Sequence, residues 1–288
     1  MVARPLKISL NPFHPLHPSS HPSTKGVAPQ ILHTQLIHHS SFIIQKLKIG
    51  LLGYGKMGKA IEQIATTQGI DIAWRITRDN KSTLNDELLR TADVVIEFSR
   101  PEAAYDNVML CLQAGVPVVC GTTGWNDRLA EAQQYCKEQN GALLWASNFS
   151  VGVNLFFALN RYLSRLMATR PEYAASVEET HHIHKLDAPS GTALTLVNEL
   201  MAAHGHFSAW ALSPTPAGPG EIPVTAIREG EVPGTHLIRW SSAVDEITIE
   251  HKAHSRTGFA AGAVLAAQWI HGKKGVFAMA DVLGLSEI

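Results

Sequence analysis

The densest polar run in the 288-residue chain spans 178–193: Glu178-Glu179-Thr180-His181-His182-Ile183-His184-Lys185-Leu186-Asp187-Ala188-Pro189-Ser190-Gly191-Thr192-Ala193. A histidine titrates near neutral pH and can give or take a proton. A nearby lysine adds positive charge for a carboxylate or a developing anion. Ser190-Gly191-Thr192 opens a helical pattern, and free N–H groups at a helix start bind carboxylates. Such a set suits proton transfer to a small acid. His181, His182 and His184 also offer nitrogens to zinc, but no Cys or Glu stands at a familiar ligand offset, so no metal is expected. The plain alternative is a surface loop with Asp187 or Ser190 as helix cap.

A second constellation, Gly53-Tyr54-Gly55-Lys56-Met57-Gly58, fits G-x-G-x-x-G. It follows an apolar run, Lys48-Ile49-Gly50-Leu51-Leu52, and opens a helical pattern in which Met57, Ile61, Ile64 and Ala65 share a face. Glycines there let the backbone turn tightly and approach a pyrophosphate at the helix start, which predicts dinucleotide binding. Arg78, 20 residues after Gly58, stands where the second strand meets the adenosine ribose. A guanidinium suits a 2′-phosphate, so NADPH is favoured over NADH, with Asp79 as a possible ribose ligand for NADH. Three more loops fall at strand ends: Phe98-Ser99-Arg100-Pro101, Gly121-Thr122-Thr123-Gly124 and Ser147-Asn148-Phe149-Ser150.

The elements that must carry these residues alternate. Strands are expected at 70–76, 93–98, 116–120 and 142–146, with helices at 102–114 and 126–139. This is the rhythm of a parallel, doubly wound sheet whose ligands sit at the C-terminal strand ends. After about residue 150 the rhythm changes. A helix over 152–168, strands at 175–180, 224–228, 236–240 and 246–251, and a helix over 187–203 point to a second domain with a more open sheet. The Pro- and Gly-rich stretch 207–221 reads as loop, and an Ala-rich helix is expected at 258–271.

Composition narrows the function class. Lys and Arg number 24 against 25 Asp and Glu, a net charge of −1. That leaves no field to attract nucleic acid or an anionic membrane. No apolar run reaches the ~18 residues of a membrane helix. Three cysteines, Cys111, Cys120 and Cys136, are an odd count without metal-like spacing, which points to a reducing, cytoplasmic setting. Residues 1–46 hold six of the 15 prolines, six of the 15 histidines and no Asp or Glu. They read as a disordered tail, best explained by a start codon assigned too far upstream; an organelle transit peptide is the alternative.

The run Glu179-x-His181-His182-x-x-Lys185-x-Asp187-x-Pro189-Ser190-Gly191-Thr192-Ala193 resembles the signature of the 4-hydroxy-tetrahydrodipicolinate reductase (dihydrodipicolinate reductase) family. Support comes from Gly121-Thr122-Thr123-Gly124, from Asn148-Phe149-Ser150-Val151-Gly152-Val153-Asn154, and from His251-Lys252-Ala253-x-Ser255-Arg256 with Phe259-Ala260-x-Gly262-Ala263. The likeness covers roughly 47–288. It implies NAD(P)H-dependent reduction of 4-hydroxy-tetrahydrodipicolinate on the route to diaminopimelate and lysine. It further implies a Rossmann-like dinucleotide-binding domain (47–149 plus 257–288) and an inserted α+β domain (150–256) that carries a mixed sheet, binds substrate and forms a homotetramer.

By the same resemblance, His181 matches the proton donor and Lys185 a second one. His182 and the backbone of Gly191 and Thr192 match contacts to the dicarboxylate substrate. Gly53 to Gly58, Gly121 to Thr123, and Ala146, Ser147, Asn148 and Phe149 match cofactor contacts. The glycine loop is one residue shorter than the family's common G-x-x-G-[RK]-M-G. Thr77-Arg78 replaces an acidic residue followed by arginine, which favours NADPH. A semialdehyde dehydrogenase, with Cys120 as nucleophile, and a nucleotide-sensing regulator are the rival readings.

Overall fold

The computed structural model describes residues 46–255 and 257–285; the expected tail, Arg256 and the last three residues lie outside the described set. In chain order the elements are β1 (Lys48–Leu52), α1 (Lys56–Thr67), β2 (Asp71–Ile76), a 3-10 turn (Lys81–Thr83), α2 (Asp86–Leu89), β3 (Val94–Glu97), α3 (Pro101–Gln113), β4 (Val118–Cys120), α4 (Leu129–Glu138), β5 (Ala142–Trp145) and α5 (Val151–Met167). Then follow β6 (Ala174–His181), α6 (Gly191–His204), β7 (Ala209–Leu212), β8 (Glu221–Arg228), β9 (Thr235–Ser241), β10 (Glu246–Lys252), α7 (Thr257–Ile270), β11 (Gly275–Phe277) and α8 (Met279–Val282).

Two sheets organise the molecule. The first has six strands in the order β11-β5-β4-β3-β1-β2, all parallel. Its strands are buried on both faces, so they read as short apolar runs rather than as alternation. Successive side chains nonetheless divide between two cores. Ile49, Leu51, Ile96, Val119 and Leu144 pack against α1 and α7, while Leu52, Val95, Val118 and Leu143 face the other core, with α3 and α4. The chain leaves β1 for β2 on one side and returns past it to β3 on the other. That reversal is the switch point at which a doubly wound sheet opens a crevice for ligand. The second sheet is mixed, in the order β10-β9-β6-β8-β7, with β6, β8 and β7 parallel and β9 and β10 antiparallel. Val177, Val224, Ile238 and Trp240 of this sheet pack under α5 and α6 through Phe156, Phe157, Leu196 and Leu200. The α/β class and its second mixed sheet are as the sequence led us to expect.

Three details differ from the sequence expectations. Helix α6 begins at Gly191, not at residue 187, because Pro189 disfavours helical backbone at the residue before it and Ser190 then caps the helix. The stretch 207–221 is not all loop: Ala209–Leu212 forms edge strand β7, too short to show alternation beside the Pro- and Gly-rich residues that follow. Strand β11 extends the first sheet beside β5 with only three residues, too few for a periodic signal.

Helix α7 lies close to the end of β5. A Cβ at Gly262 would stand 1.7 Å from the Phe149 carbonyl oxygen, a backbone atom with little freedom to yield. In the same helix a Cβ at Gly258 meets nothing nearer than the Ser150 hydroxyl at 3.7 Å. Gly262→Ala is therefore expected to destabilise the fold by about 2–3 kcal/mol through overpacking and to lower Tm by roughly 5–10 °C. Gly258→Ala should leave Tm within about 2 °C of wild type. Thermal denaturation of both variants checks the pair; equal Tm values would contradict the close approach.

Candidate active site

Crevice and cavity are built from strand ends. The glycine loop joins β1 to α1. Gly53 has φ +94°, and a Cβ there would strike the Phe98 carbonyl oxygen at 2.1 Å, so the turn and the close approach both require glycine. A Cβ at Gly58 would fall 2.3 Å from the Gly53 carbonyl oxygen. Gly55 caps α1, and a Cβ on it would meet no protein atom within 4 Å, which leaves its outer side open to a ligand. No side chain caps this helix and its first turn holds no acid, so its N–H groups suit a pyrophosphate. Lys56 is exposed and Met57 half-buried on the first turn, while Tyr54 and Arg75 both bond Glu62.

Gly121, Thr122 and Thr123 follow β4, and Ala146, Ser147, Asn148 and Phe149 follow β5, at the same end of the parallel sheet. The Phe98 ring fills the space between them: it lies 5.5 Å from the Phe149 ring, and a Cβ at Gly121 would meet it at 2.1 Å. Beneath these loops the buried Glu97 accepts bonds from the Ser99 hydroxyl, from Asn107 at 3.1 Å and from the Cys120 thiol at 3.2 Å. Thr122 Oγ1 accepts from Ser99 N at 2.9 Å, tying the β3 and β4 loops together. Asn154 reaches back to the Asn148 carbonyl at 2.9 Å and fixes the β5 loop to the first turn of α5. Arg78 lies two residues beyond β2, exposed. These residues fit a dinucleotide: open N–H groups for phosphates, a small-residue floor, and hydroxyls and amides at the strand ends.

The second centre grows from the register of the mixed sheet. Glu179 of β6 stands opposite His236 of β9, and His236 opposite His251 of β10. Two residues earlier on β6 the same face carries Val177 opposite Ile238, in the apolar core. The covered face thus turns from aliphatic to ionisable where the strand ends. Glu179 is wholly buried. Its Oε1 accepts from Ser190 N at 2.9 Å and from Arg228 Nη2 at 3.1 Å, and its Oε2 lies 3.2 Å from His181 Nδ1. Burial opposes its ionisation, but His181 beside it and bonds from Ser190 and Arg228 outweigh that and hold the carboxyl down at about 2. Burial, with His181 beside it, pushes His236 down to about 4, and its Nε2 lies 3.2 Å from the Ser190 hydroxyl. That hydroxyl also accepts from Ala193 N at 3.2 Å, capping α6.

A cavity of about 360 Å³ opens on this cluster. His181, His236, His251 and Thr192 line it from the mixed-sheet side, and Asn148 and Thr257 from the ends of the β5 loop and the start of α7. Gly234 also lines it; a Cβ there would stand 3.0 Å from His181 Nε2, so glycine keeps that nitrogen clear. Among the residues singled out by sequence, His181, Thr192 and Asn148 meet at this wall. His182, Lys185 and Gly191 stand outside it, with the Lys185 ammonium on Asp187 at 2.8 Å. Sequence reasoning singled out neither His236 nor Arg228; it named Glu179 and His251 only within the family-like runs, and Ser190 as a cap and opening residue of the helix, without placing any of the three at an acid–base centre. The available signal was His236 itself, on the inward face of a strand otherwise lined by Ile238 and Trp240.

Comparison with known proteins bears on this arrangement. A family model described as "Dihydrodipicolinate reductase, N-terminus" matches residues 47–149, and one described as "Dihydrodipicolinate reductase, C-terminus" matches 152–283. A 4-hydroxy-tetrahydrodipicolinate reductase from Christiangramia forsetii is 44% identical over 82% of this chain and 98% of its own length. One from Neisseria meningitidis is 36% identical over 76% of this chain and 83% of its own. A solved dipicolinate-bound dihydrodipicolinate reductase from a Paenisporosarcina species shares the fold, with TM-score 0.66 and 20% identity over 81% of this chain and 97% of its own.

The two displaced titrations set separate pH windows. His236 stays neutral in the folded chain from its ordinary 6.5 down to about 4, so the unfolded chain takes its proton first and stability falls across that window. Glu179 stays ionised from its ordinary 4.5 down to about 2, so the stability it lends above pH 4.5 is lost as pH falls toward 2. Urea unfolding should show His236→Gln with a shallower decline through the first window, by on the order of 2 kcal/mol, and Glu179→Gln with a shallower decline in the second. Parallel profiles for wild type and variants would contradict these assignments.

Proposed function

The chain belongs to the dihydrodipicolinate reductase family, and we propose that His181 gives the proton in the reaction this membership entails, the NAD(P)H-dependent reduction of 4-hydroxy-tetrahydrodipicolinate to tetrahydrodipicolinate in diaminopimelate and lysine biosynthesis. The observation that carries the proposal is the pairing of His181 with the buried, ionised Glu179 at the cavity wall. When bound, the reduced nicotinamide would supply two electrons and one hydrogen to the unsaturated ring; with one proton these balance tetrahydrodipicolinate and the water formed from the 4-hydroxyl. The residues of the chain hold the ring, receive its charge and deliver the proton.

Glu179 orients His181 through Nδ1, which leaves Nε2, beside Gly234, to face substrate. The free N–H groups of Gly191 and Thr192 at the start of α6 take one substrate carboxylate, and His182 contacts the same acid. Lys185 is the second proton source; a substrate carboxylate would draw its ammonium from Asp187. The Gly53–Gly58 loop holds the pyrophosphate, and the residues from Gly121 to Thr123 and from Ala146 to Phe149 hold the nicotinamide end. On this reading 47–149 and 257–288 bind cofactor, and 150–256 bind substrate and assemble a homotetramer. Two observations support it: β11 lies in the first sheet, and α5 and α6 cover only one face of the second. The three cysteines are free thiols, in keeping with a cytoplasmic enzyme. A cysteine-based dehydrogenase is disfavoured, because burial and the neighbouring Glu97 push the Cys120 thiol well above its ordinary range.

His181→Gln should lower kcat by about two to three powers of ten, the usual contribution of a general acid, while the Kd for NADPH stays near wild type. Near-normal turnover in a coupled assay with dihydrodipicolinate synthase supplying substrate would remove His181 from the chemistry.

We further propose that NADPH is preferred over NADH. Arg78 is exposed just past β2, where a guanidinium can pair with a 2′-phosphate, and Thr77 brings no competing negative charge. Arg78→Ala is expected to raise KM for NADPH by roughly tenfold with little change for NADH. Equal weakening of both cofactors, or of neither, would show that Arg78 does not read the 2′-position.

A further inference from the structure

Three buried groups from two strands converge at the cavity wall. Glu179, His181 and His236 each present a ligand atom within 4.8 Å of those of the other two. Glu179 Oε2 lies 3.2 Å from His181 Nδ1 and 3.8 Å from His236 Nε2. Ligands about 2.0–2.1 Å from a tetrahedral zinc ion are about 3.3 Å apart, so these spacings need little adjustment. Neither Glu179 Oε2 nor His181 Nδ1 makes a well-directed hydrogen bond, although both are buried. Two unsatisfied atoms facing one another are costly unless a proton or a cation lies between them.

We infer that Glu179, His181 and His236 form a binding site for a divalent transition cation of the zinc class, and that its occupation blocks the reductase by taking the nitrogen that orients the proton donor. The second half of this inference rests on the reading of His181 given above. The donor set, one carboxylate and two imidazoles, is that of open zinc sites in which a fourth position is left for water. His181 and His236 both line the cavity, which offers a route of entry. Arg228 and Ser190 N hold the other carboxylate oxygen, so they aim Oε2 at the histidines without covering it. The Arg228 charge opposes a cation and sets the site apart from a structural zinc centre; binding should be reversible and removable by chelator. His236 would exchange its bond to the Ser190 hydroxyl for the metal, and Ser190 would retain its cap on Ala193. Sequence spacing alone pointed to no metal, because it weighed only His181, His182 and His184; the third ligand comes from β9.

The test uses the full chain, apo and chelator-treated, titrated with Co²⁺ and followed by the visible ligand-field bands of four-coordinate cobalt. About one equivalent should produce the bands, and His236→Gln should weaken that binding by at least about tenfold. Any binding by the six histidines among residues 1–46 is common to wild type and variant and cancels in the difference. In parallel, Zn²⁺ should inhibit the wild-type reductase by at least about tenfold, with EDTA restoring activity. Should His236→Gln fail to fold, X-ray absorption of the one-equivalent zinc form of the wild type replaces it, with two imidazoles and a carboxylate expected. No four-coordinate bands, bands unchanged in His236→Gln, or a zinc shell without two imidazoles would overturn the metal site, whatever the part played by His181. Bands that depend on His236 without inhibition by zinc would uphold the site and overturn His181 as proton donor.

Discussion

A carboxylate removed from water is unstable unless fixed hydrogen-bond donors and charges replace its hydration, and Glu179 is such a carboxylate. Its solution organises the mixed-sheet end of the molecule. Ser190 N comes from the start of α6, Arg228 from the end of β8, His181 from the end of β6, and His236 from β9. Satisfying one buried charge therefore sets the start of a helix, the ends of two parallel strands and the register of an antiparallel pair. Arg228 also donates to the Asp187 carbonyl and so holds the loop that carries Lys185. The residues proposed for the chemistry are arranged around this anion rather than packed independently.

The parallel-sheet end depends on a different constraint, the closeness of backbone to backbone. Gly53 against Phe98, Gly58 against Gly53, and Gly262 against Phe149 are contacts at which a methyl group has no room. They bring α1 and α7 onto the sheet and leave the strand-end loops as a shallow, fitted floor. Glu97 repeats the logic of Glu179 on a smaller scale, drawing Ser99, Asn107 and Cys120 around a buried carboxylate beneath that floor. Both halves thus place a buried acidic side chain beneath strand-end loops and let its donors position them. The cavity lies where the two surfaces meet, with Asn148 and Thr257 on one wall and His181 and His236 on the other. Chemistry that joins a nicotinamide to a small acid needs that juxtaposition.

Much of this was legible in the chain. A glycine loop between an apolar run and an amphipathic helix can do little except turn sharply against a helix start, and local geometry alone forces that reading. Short apolar runs separated by helical periods declared a parallel sheet, because buried parallel strands show no polar face. The run from Glu179 to Ala193 carried the resemblance and placed His181 and Thr192, which do reach the cavity. Elements of three or four residues, β7 and β11, stayed hidden because they span too little chain to show a period.

What only the tertiary structure decided is which distant groups meet. His236 and Arg228 lie 57 and 49 residues beyond Glu179 in the chain, and each reads locally as an ordinary strand residue. Strand register makes them neighbours of one carboxylate: the antiparallel pairing sets Glu179 opposite His236, and the parallel pairing brings Arg228 beside His181. Sequence fixes the period of a strand and the chemistry of each face. It does not state which rung of one strand faces which rung of the next, since that is settled by packing of the whole sheet. The chain by itself therefore determined the reaction class and the donor of the proton we propose, while the shape of the acid–base centre around that donor came from the fold.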